Sequence, residues 1–377
     1  MNKSIKSYRA DFLIIGAGFS GATFARCAAD AGYTVQVIDK RKHMGGNCYT
    51  YKDQDSGIEI HKYGPHIFHT NSAQIWKFIT KFTEFNNYVN RVKARSNGSI
   101  YSLPINLHTI NQFFKKTFNP KEAEQFIDKL RIKNIPITNF KNYIVSSIGE
   151  ELYEAFFKYY TIKQWGKDPE QIDVSTAKRL PIRFHYDDNY YNDRYQGIPV
   201  DGYTSIFKRM LDHKNIKVSL NTGFNEFRDN WRNKFRHLVF SGSIDEFFNY
   251  SFGYLPYRTV RFKEIRGKEI QGNAVINYTD MKFSFTRIHE HKWFTPERKF
   301  EDSVAFEEYS DFTDSRNEPY YPIRDFESDA LYNKYEVLAK EEKDIIFLGR
   351  LAEFRYYDMH QVIGSAISKF KNYIQDK

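Results

Sequence analysis

The N-terminal region carries a glycine motif that few folds accommodate. Residues 11–15 (DFLII) have the pattern of a buried strand, and Gly16-Ala-Gly-Phe-Ser-Gly21 follows directly as a complete G-x-G-x-x-G. A helical pattern continues to about Ala31, and a second strand over 34–39 ends in an acidic residue. Such a motif between a strand and a helix predicts a dinucleotide-binding turn. The chain is therefore predicted to be an α/β protein with a Rossmann-like domain.

The residues of this motif have separate physical roles. Gly16 permits the tight turn, Gly18 lets the backbone approach a pyrophosphate, and Gly21 lets helix and strand pack closely. Phe19 and Ser20 open the helix, whose N-terminal N–H groups and positive dipole attract an anion. We expect these residues to bind the pyrophosphate of a cofactor.

The residues after the second strand indicate FAD as that cofactor. Asp39 is placed to hydrogen-bond a ribose diol. Lys40 follows it, and a few residues later comes a Gly-Gly pair whose second member is Gly46, followed by Asn47. This order resembles the extension of the motif in flavin enzymes, where a second glycine turn approaches the flavin. A nicotinamide dehydrogenase would have no such use for this segment.

The C-terminal region has a pattern that would close the same cofactor site. Residues 344–350 (DIIFLGR) read as a strand ending in Gly-Arg, and residues from about 358 to 373 read as a helix. The positive end of that helix would point at the flavin pyrimidine. The residues expected near the flavin are Gly349, Arg350, Asp358 and Met359.

Composition limits the class of protein and its partners. The chain has 377 residues, of which 41% are hydrophobic, so it is globular. Its net charge of +9 suits an anionic partner, yet there is no nucleic-acid motif, which leaves a phosphorylated metabolite or a merely solvated basic surface. Two cysteines are too few for a disulfide framework or a zinc site. Without a signal peptide or a long apolar run, we expect a cytoplasmic protein with no membrane insertion.

The pattern of the remaining chain predicts three domains. The FAD-binding domain would be discontinuous, formed by residues 1–95, about 200–245 and 325–377. A helical insertion domain would span 105–190. An antiparallel β-sheet domain would contain 190–200 and 246–324, because residues 215–290 read as strand-like, with alternation in 272–278 and 283–287.

The stretch 63–70, YGPHIFHT, places two histidines three residues apart. Such a pair can ligate a metal, act as an acid or base, pack in a core, or line a flat ligand. No third ligand stands nearby in sequence, so we expect no metal site. The Gly-Pro pair would bend the chain so that His66 and Ile67 approach the flavin near its N5. For His69, a packing role and an approach to the substrate both remain open.

Several longer strings together resemble the UDP-galactopyranose mutase family, nearly from end to end. They are GGNCYT, HKYGPHIFHT, LYEAFF, YTIKQWG, RFHYDDNYYNDRYQGIPVDGYT, SGSIDEFF, QGNAVINYTD, FTRIHEHKWF, EPYYPI and LGRLAEFRYYDMHQVIGSAI. The resemblance implies a flavin-dependent isomerase that interconverts pyranose and furanose forms of a nucleotide-linked hexose, with no net oxidation, for surface polysaccharide precursors. It implies that FAD acts when reduced by NAD(P)H or another reductant, with N5 attacking the anomeric carbon.

The resemblance also implies roles for particular residues. His66, Arg179 and Arg287 would be catalytic, and arginine suits the diphosphate because its planar fork binds phosphate oxygens bidentately. Tyr160 would stack on the base, with Phe156 on the same helical face. The residues expected to contact substrate are His69, Asn90, Phe156, Phe157, Tyr160, Trp165, Arg179, Tyr190, Asn277, Arg287, Tyr321 and Tyr356. Tyr356 would also lie near the cofactor, and residues 165–182 would form a mobile lid.

The choice of substrate stays open at this point. Tyr159, Arg91, His108 and Asp201 differ from the residues we would expect in the family. A UDP-galactose type of substrate is the first expectation, with dTDP-fucose or UDP-N-acetylgalactosamine as alternatives for the same chemistry. A flavin amine or alcohol oxidoreductase, or a flavin-binding scaffold, would use the same cofactor domain. The resemblance suggests a homodimer.

Overall fold

The computed structural model describes residues 9–177, 181–314 and 317–375, and these contain sixteen strands. In chain order the strands are β1 Ala10–Ile15, β2 Val35–Ile38, β3 Thr50–Lys52, β4 Glu59–His61, β5 Phe68–Thr70, β6 Lys93–Ser96, β7 Ser99–Ser102, β8 Tyr195–Gly197, β9 Ile216–Ser219, β10 Phe235–Phe240, β11 Tyr257–Gly267, β12 Val275–Tyr278, β13 Arg287–Glu290, β14 Ser303–Phe312, β15 Tyr321–Pro322 and β16 Ile345–Phe347.

The same described residues form thirteen α-helices. In chain order they are α1 Phe19–Asp30, α2 Ala73–Ile79, α3 Leu107–Phe114, α4 Pro120–Leu130, α5 Phe140–Ile148, α6 Glu150–Tyr153, α7 Tyr159–Trp165, α8 Val174–Ala177, α9 Tyr203–Leu211, α10 Trp231–Lys234, α11 Ile244–Phe247, α12 Phe326–Glu341 and α13 Met359–Gln375. Within this part of the chain, no helix has the length and hydrophobicity needed to cross a membrane.

A five-stranded parallel sheet forms the centre of the cofactor-binding fold, in the order β16-β10-β1-β2-β9. Alternate residues of β1 point to opposite faces, as strand geometry requires. Phe12 packs among α1 and α13, where Phe24 and Phe370 meet edge to face at 5.4 Å. Leu13 belongs to the core on the other face, with Tyr335 of α12. Helices therefore cover both faces of the sheet, and the predicted Rossmann-like α/β fold is confirmed.

The second large sheet has seven strands in the order β15-β11-β14-β13-β12-β6-β7, antiparallel except for the β12–β6 pair. Its register brings three polar residues into one row. Asn277 on β12 lies opposite Arg287 on β13, and Arg287 lies opposite Glu308 on β14. Directly opposed residues share one face of a sheet, so these side chains are neighbours. The three-domain division of the chain stays a prediction.

Helices α3 to α8 pack around a separate hydrophobic core. Asparagine side chains cap three of them: Asn106 caps α3, Asn119 forms a capping box with Glu122 at α4, and Asn139 caps α5. Between α6 and α7 the chain makes a π-helical turn over Glu154–Lys158.

The predicted strand over residues 283–287 is wrong, because β13 begins only at Arg287. Residues 215–290 also include the short helices α10 and α11. The alternating Phe283 and Phe285 do not extend a strand; both rings pack on Tyr278, at 4.9 and 4.7 Å. Lys163 of α7 holds this turn, because its Nζ lies within 2.6–3.1 Å of four carbonyl oxygens, those of residues 278, 280, 283 and 285.

Replacing Lys163 is predicted to destabilise the protein. Lys163→Met removes a charged donor from four half-buried carbonyls, and we expect a loss of about 3 kcal/mol in the free energy of unfolding. Thermal unfolding of the FAD-loaded protein measures the effect as a lowered midpoint. The matched control is Lys158→Met, whose exposed bridge to Glu154 contributes about 0.5 kcal/mol or less. Equal midpoints for the two variants would contradict the anchoring role of Lys163.

Candidate active site

A cavity of about 350 Å³ lies at the carboxyl ends of the parallel strands, where α/β folds bind nucleotides. Both glycine turns line it, together with Arg350 and Leu351, which follow β16, and the start of α13. The predicted cofactor residues that line this cavity are Gly16, Gly18, Phe19, Ser20, Asp39, Lys40, Gly46, Asn47, His66, Arg350 and Met359. Residues more than 300 positions apart in sequence thus meet in one cavity.

The glycines keep the wall of this cavity open to a dinucleotide. Gly16 has φ +101°, and a Cβ there would meet Ser241 Oγ at 2.3 Å. The two glycine turns touch, because a Cβ on Gly46 (φ +55°) would lie 3.3 Å from the Cα of Gly18. Gly21 has a different role: a Cβ there would be 2.0 Å from the carbonyl oxygen of Gly16, so it packs helix against strand. Bare backbone of this kind fits the pyrophosphate of a flavin dinucleotide.

Asp39 fixes the first glycine turn. Its Oδ2 accepts a hydrogen bond from the Ala17 N–H at 2.8 Å, and its Oδ1 accepts one from the Arg41 N–H at 2.9 Å. Each carboxylate oxygen has a second lone pair that remains for a ribose hydroxyl. The carboxylate therefore has a structural role that the sequence interpretation did not assign.

The sequence interpretation missed several residues of the cavity wall. Ser241–Ser243 follow β10, and residues 222–225 and 318–320 close other sides. Glu318 forms an ion pair with Arg41 and lies 3.4 Å from Lys40. The string SGSIDEFF could have pointed to the serines, whereas residues 222–225 carry no motif.

His66 lies in the cavity wall as a neutral imidazole. Burial, with smaller contributions from the guanidinium groups of Arg350 and Arg287, lowers the pKa of His66 to about 4, although the hydrogen bond to the Gly64 carbonyl opposes this shift. Its Nδ1 is 2.8 Å from the Gly64 carbonyl oxygen, which can only accept, so Nδ1 carries the proton and Nε2 is left as an acceptor. Gly64, at φ +93°, packs close to Phe262 and Glu308. The YGPHIFHT stretch thus joins the cofactor cavity to the seven-stranded sheet.

Arg287 is the central cation of the polar row on that sheet. Its guanidinium is 2.9 Å from Glu308, whose side chain is only 2% exposed, while the Arg287 side chain is 25% exposed. Burial opposes the charge of Arg287, but the Glu308 carboxylate outweighs this and holds the pKa of Arg287 well above its ordinary value. His289 Nε2 lies 3.2 Å from the same carboxylate. Among the described residues, Asn277 Oδ1 and Arg287 Nε are buried with no hydrogen-bond partner.

A cleft of about 580 Å³ lies beside the cavity, and His69, Trp165, Tyr356 and Asp358 are among the residues that line it. The rings of Tyr321 and Tyr356 stack at 5.1 Å, and the Arg350 guanidinium lies 5.0 and 5.5 Å from their centroids. Trp165 is 6.3 Å from Tyr356. Because Arg350 lines the cofactor cavity and Tyr356 lines the cleft, this aromatic wall connects the two.

Of the residues predicted for the nucleotide end, Tyr160, Asn90 and Tyr190 interact with polar or charged groups, whereas Phe156 is buried in a hydrophobic core. Burial, and then the Glu308 carboxylate among its charged neighbours, raises the pKa of Tyr160, a shift that the Arg287 guanidinium opposes. The Asn90 carbonyl accepts the Tyr190 N–H at 2.8 Å, which joins these two residues. Phe156, in contrast, is 3% exposed.

Phe156 belongs to the helical core. It contacts Tyr101 edge-on at 5.1 Å and Phe113 in a tilted arrangement at 5.6 Å, so core packing covers nearly all of its ring. Phe157 packs on the same core, 6.5 Å from Phe140.

The remaining predicted residues lie in three places. Ile67 is buried in the helical core. Gly349 touches the first glycine turn, because a Cβ on it would be 2.3 Å from Ser20 Oγ. Arg179 lies outside the described residues.

The fold brings two further potential ligands to His69, which the sequence did not show, while the expectation of no metal site stays a prediction. One atom each of His69, Asp358 and His360 lies within 4.8 Å of the others. The sequence could not show this, because β5 and the start of α13 are almost 300 residues apart and meet only in the fold.

The fold and the cavity together define a protein with a Rossmann-like dinucleotide site. Residues 14–82 match the NAD(P)-binding Rossmann-like domain, and residues 155–356 match the UDP-galactopyranose mutase family. A probable UDP-galactopyranose mutase of Klebsiella pneumoniae is 47% identical over 95% of this chain and 93% of its own length. The dTDP-fucopyranose mutase of Escherichia coli is 45% identical, over 97% and 98%.

Solved structures have the same fold. Reduced UDP-galactopyranose mutase matches with a TM-score of 0.73 and 14% identity, covering 98% of this chain and 96% of that one. A variant of putrescine oxidase matches at 0.57 and 11% identity, over 98% and 99%. The chain belongs to the UDP-galactopyranose mutase family. Its relatives are mutases, so it is an isomerase, and it uses a flavin cofactor.

Gly46→Ala is predicted to abolish flavin retention. The new Cβ would lie against Gly18 at a positive φ, which forces the two glycine turns apart where the dinucleotide passes. The absorbance of purified protein near 450 nm measures bound flavin. Gly57→Ala is the matched control, because it has φ +69° but, in the described part of the chain, nothing within 4 Å of the added Cβ. Similar flavin content in both variants would refute the role of Gly46.

Proposed function

We propose that this protein interconverts the pyranose and furanose forms of a UDP-galactose type of nucleotide sugar, without net oxidation, for surface polysaccharide precursors. The main support is the position of Arg287. A buried carboxylate holds its guanidinium, yet a quarter of the side chain stays exposed beside tyrosines and close to the cofactor wall. A fixed cation at that place suits a diphosphate that must leave and return during the reaction.

The chain's own groups would orient and neutralise the reactants. The bound flavin, when reduced, supplies the nucleophile, its N5, for the anomeric carbon. Neutral His66 would face the cofactor and offer Nε2 as a hydrogen-bond acceptor. Arg287, with Arg179, would neutralise the diphosphate, because an arginine fork matches phosphate oxygens. Tyr321 and Tyr356 would donate hydrogen bonds from their hydroxyl groups to the diphosphate.

The nucleotide would bind at the helical side of the site. Tyr160 would stack on the base, with Asn90, Tyr190, Phe157 and Trp165 around it. Phe156 would support this wall from the core rather than touch the base, given its 3% exposure. Asn277 would accept a hydrogen bond from the sugar through its buried Oδ1.

The substrate is proposed as UDP-galactose because the Klebsiella relative has the higher identity, although the fucopyranose relative is nearly as similar. Two of the differing residues have partners in the structure. Arg91, next to Asn90, pairs with Asp188 at 3.0 Å, and Asp201 pairs with Arg209 at 2.5 Å. The alternative substrate dTDP-fucose differs from UDP-galactose in both the nucleotide and the sugar, whereas UDP-N-acetylgalactosamine differs from it only in the sugar. Reduction of FAD by NAD(P)H or another reductant, a homodimer and a cytoplasmic location are further proposals.

A substrate panel tests this function. The protein, reduced anaerobically with dithionite, is predicted to convert UDP-galactofuranose to UDP-galactopyranose. The kcat/KM for this substrate is predicted to be higher than the kcat/KM for dTDP-fucofuranose or for UDP-N-acetylgalactosamine. Chromatography of the two ring forms measures the reaction, and the oxidised protein is the control, predicted to be inactive. Substrate loss that consumes oxygen, without a change of ring form, would instead indicate an oxidoreductase.

Arg287→Lys is predicted to weaken the diphosphate interaction while leaving Glu308 with a cationic partner. Loss of the bidentate fork is expected to lower kcat/KM by about 10- to 100-fold. Steady-state kinetics and UDP binding by calorimetry measure it. The matched control is Arg261→Lys on β11, because that side chain is 64% exposed and pairs with Asp311. Unchanged UDP affinity in Arg287→Lys would contradict the proposed role.

A further inference from the structure

A cluster of potential metal-ligating side chains lies in the cleft wall, and it includes two residues for which the sequence predicted other contacts, His69 with the substrate and Asp358 near the flavin. It contains His69 on β5, with Asp358 and His360 at the start of α13. The rings of His69 and His360 meet edge-on at 5.1 Å. The three residues also line the cleft, so an ion could reach them from solvent.

The spacing of the three groups suits a single ion. One ligand atom from each residue lies within 4.8 Å of the other two, so all three lie within about 2.8 Å (4.8 Å divided by √3) of a common point. Zinc bonds to imidazole nitrogen or carboxylate oxygen are about 2.0–2.2 Å long. Side-chain movements of less than about 1 Å would therefore complete the coordination.

The surroundings of His69 match those of a metal-bound histidine. Its Nδ1 contacts the Asp193 carboxylate, and its ring stacks on Tyr191 at 3.8 Å. A metal-ligating histidine usually donates its other ring N–H to a carboxylate, which fixes the tautomer and the ring orientation. With Nδ1 bound to Asp193, Nε2 is the nitrogen left to ligate.

His360 supplies an independent observation. Within the described part of the chain, its Nδ1 is buried and has no hydrogen-bond partner. A buried polar atom without a partner costs free energy, which a bound ligand would recover.

The local charge decides whether a cation is tolerated. The N-terminus of α13 is the positive end of a 17-residue helix and opposes a cation. Asp358 lies at this helix end and Asp193 lies behind His69, so two carboxylates offset the helix dipole. Two imidazoles and one carboxylate favour a divalent transition metal over magnesium or calcium.

We propose that His69, Asp358 and His360 form a binding site for a divalent transition-metal ion of the zinc class, supported by Asp193. Three protein ligands leave at least one coordination position open, and that position faces the cleft. An ion there would tie β5, which follows His66 of the cavity wall, to the start of α13, whose Met359 lines the same cavity. The proposal of this metal site does not depend on which nucleotide sugar the protein uses.

Calorimetric titration of the FAD-loaded, chelator-treated protein with zinc chloride tests the site. The expected result is saturable binding of one ion per chain, with metal analysis after gel filtration giving the same ratio. His360→Gln is expected to abolish this binding. Asp193→Asn, which retains all three ligands, is expected to weaken it by roughly 10- to 100-fold.

The control variant is His185→Ala, because His185 is an exposed histidine outside the cluster. It is expected to bind zinc as the parent does. Two results would overturn the proposal: the absence of saturable zinc binding by the parent, or binding that His360→Gln and Asp193→Asn both leave unchanged, which would show an adventitious ion only. Far-ultraviolet circular dichroism and flavin content confirm that each variant is folded.

Discussion

The buried ion pair between Glu308 and Arg287 joins the two halves of this site. Glu308 Oε2 lies 2.9 Å from the Arg287 guanidinium, and the same oxygen packs near Gly64, two residues before His66 of the cavity wall. A buried pair of this kind adds little to stability, because desolvation of both charges offsets their attraction. In the proposed reaction its value would be positional, because it would hold a cation where the diphosphate leaves and returns.

The close contact of the two glycine turns is a comparable constraint on the cofactor side. The first turn follows β1 and is fixed by Asp39, and the second follows β2 and touches the first at Gly18 and Gly46. Because the parallel strands end at one edge, residues of both turns line one cavity. The reaction proposed for the chain places its nucleophile on the cofactor. In that proposal the protein would position the flavin and the nucleotide sugar, with the cavity holding the flavin and Arg287 neutralising the diphosphate.

Much of this arrangement could be predicted from local patterns. The strand–turn–helix over residues 10–30, the acid at 39, the late strand and the final helix were all predicted at nearly their observed positions, because each depends on residues that are neighbours in sequence. Patterns misled where tertiary contacts compete with local preference. Phe283 and Phe285 alternate like a strand, yet Lys163 holds their carbonyls in a turn. Phe156 lies one helical turn from Tyr160, yet it fills the core beside Tyr101.

The sequence by itself determined the dinucleotide-binding turn and the flavin, because a glycine motif acts through its own backbone conformation. It also determined the family, through long strings of matching residues. Only the tertiary structure decided which distant residues meet. Strand register placed Asn277, Arg287 and Glu308 in one row, and the packing of β5 against α13 brought His69 to Asp358 and His360. The physical reason is that sheet register and helix packing are set by the whole core, so no local pattern encodes which side chains they bring together.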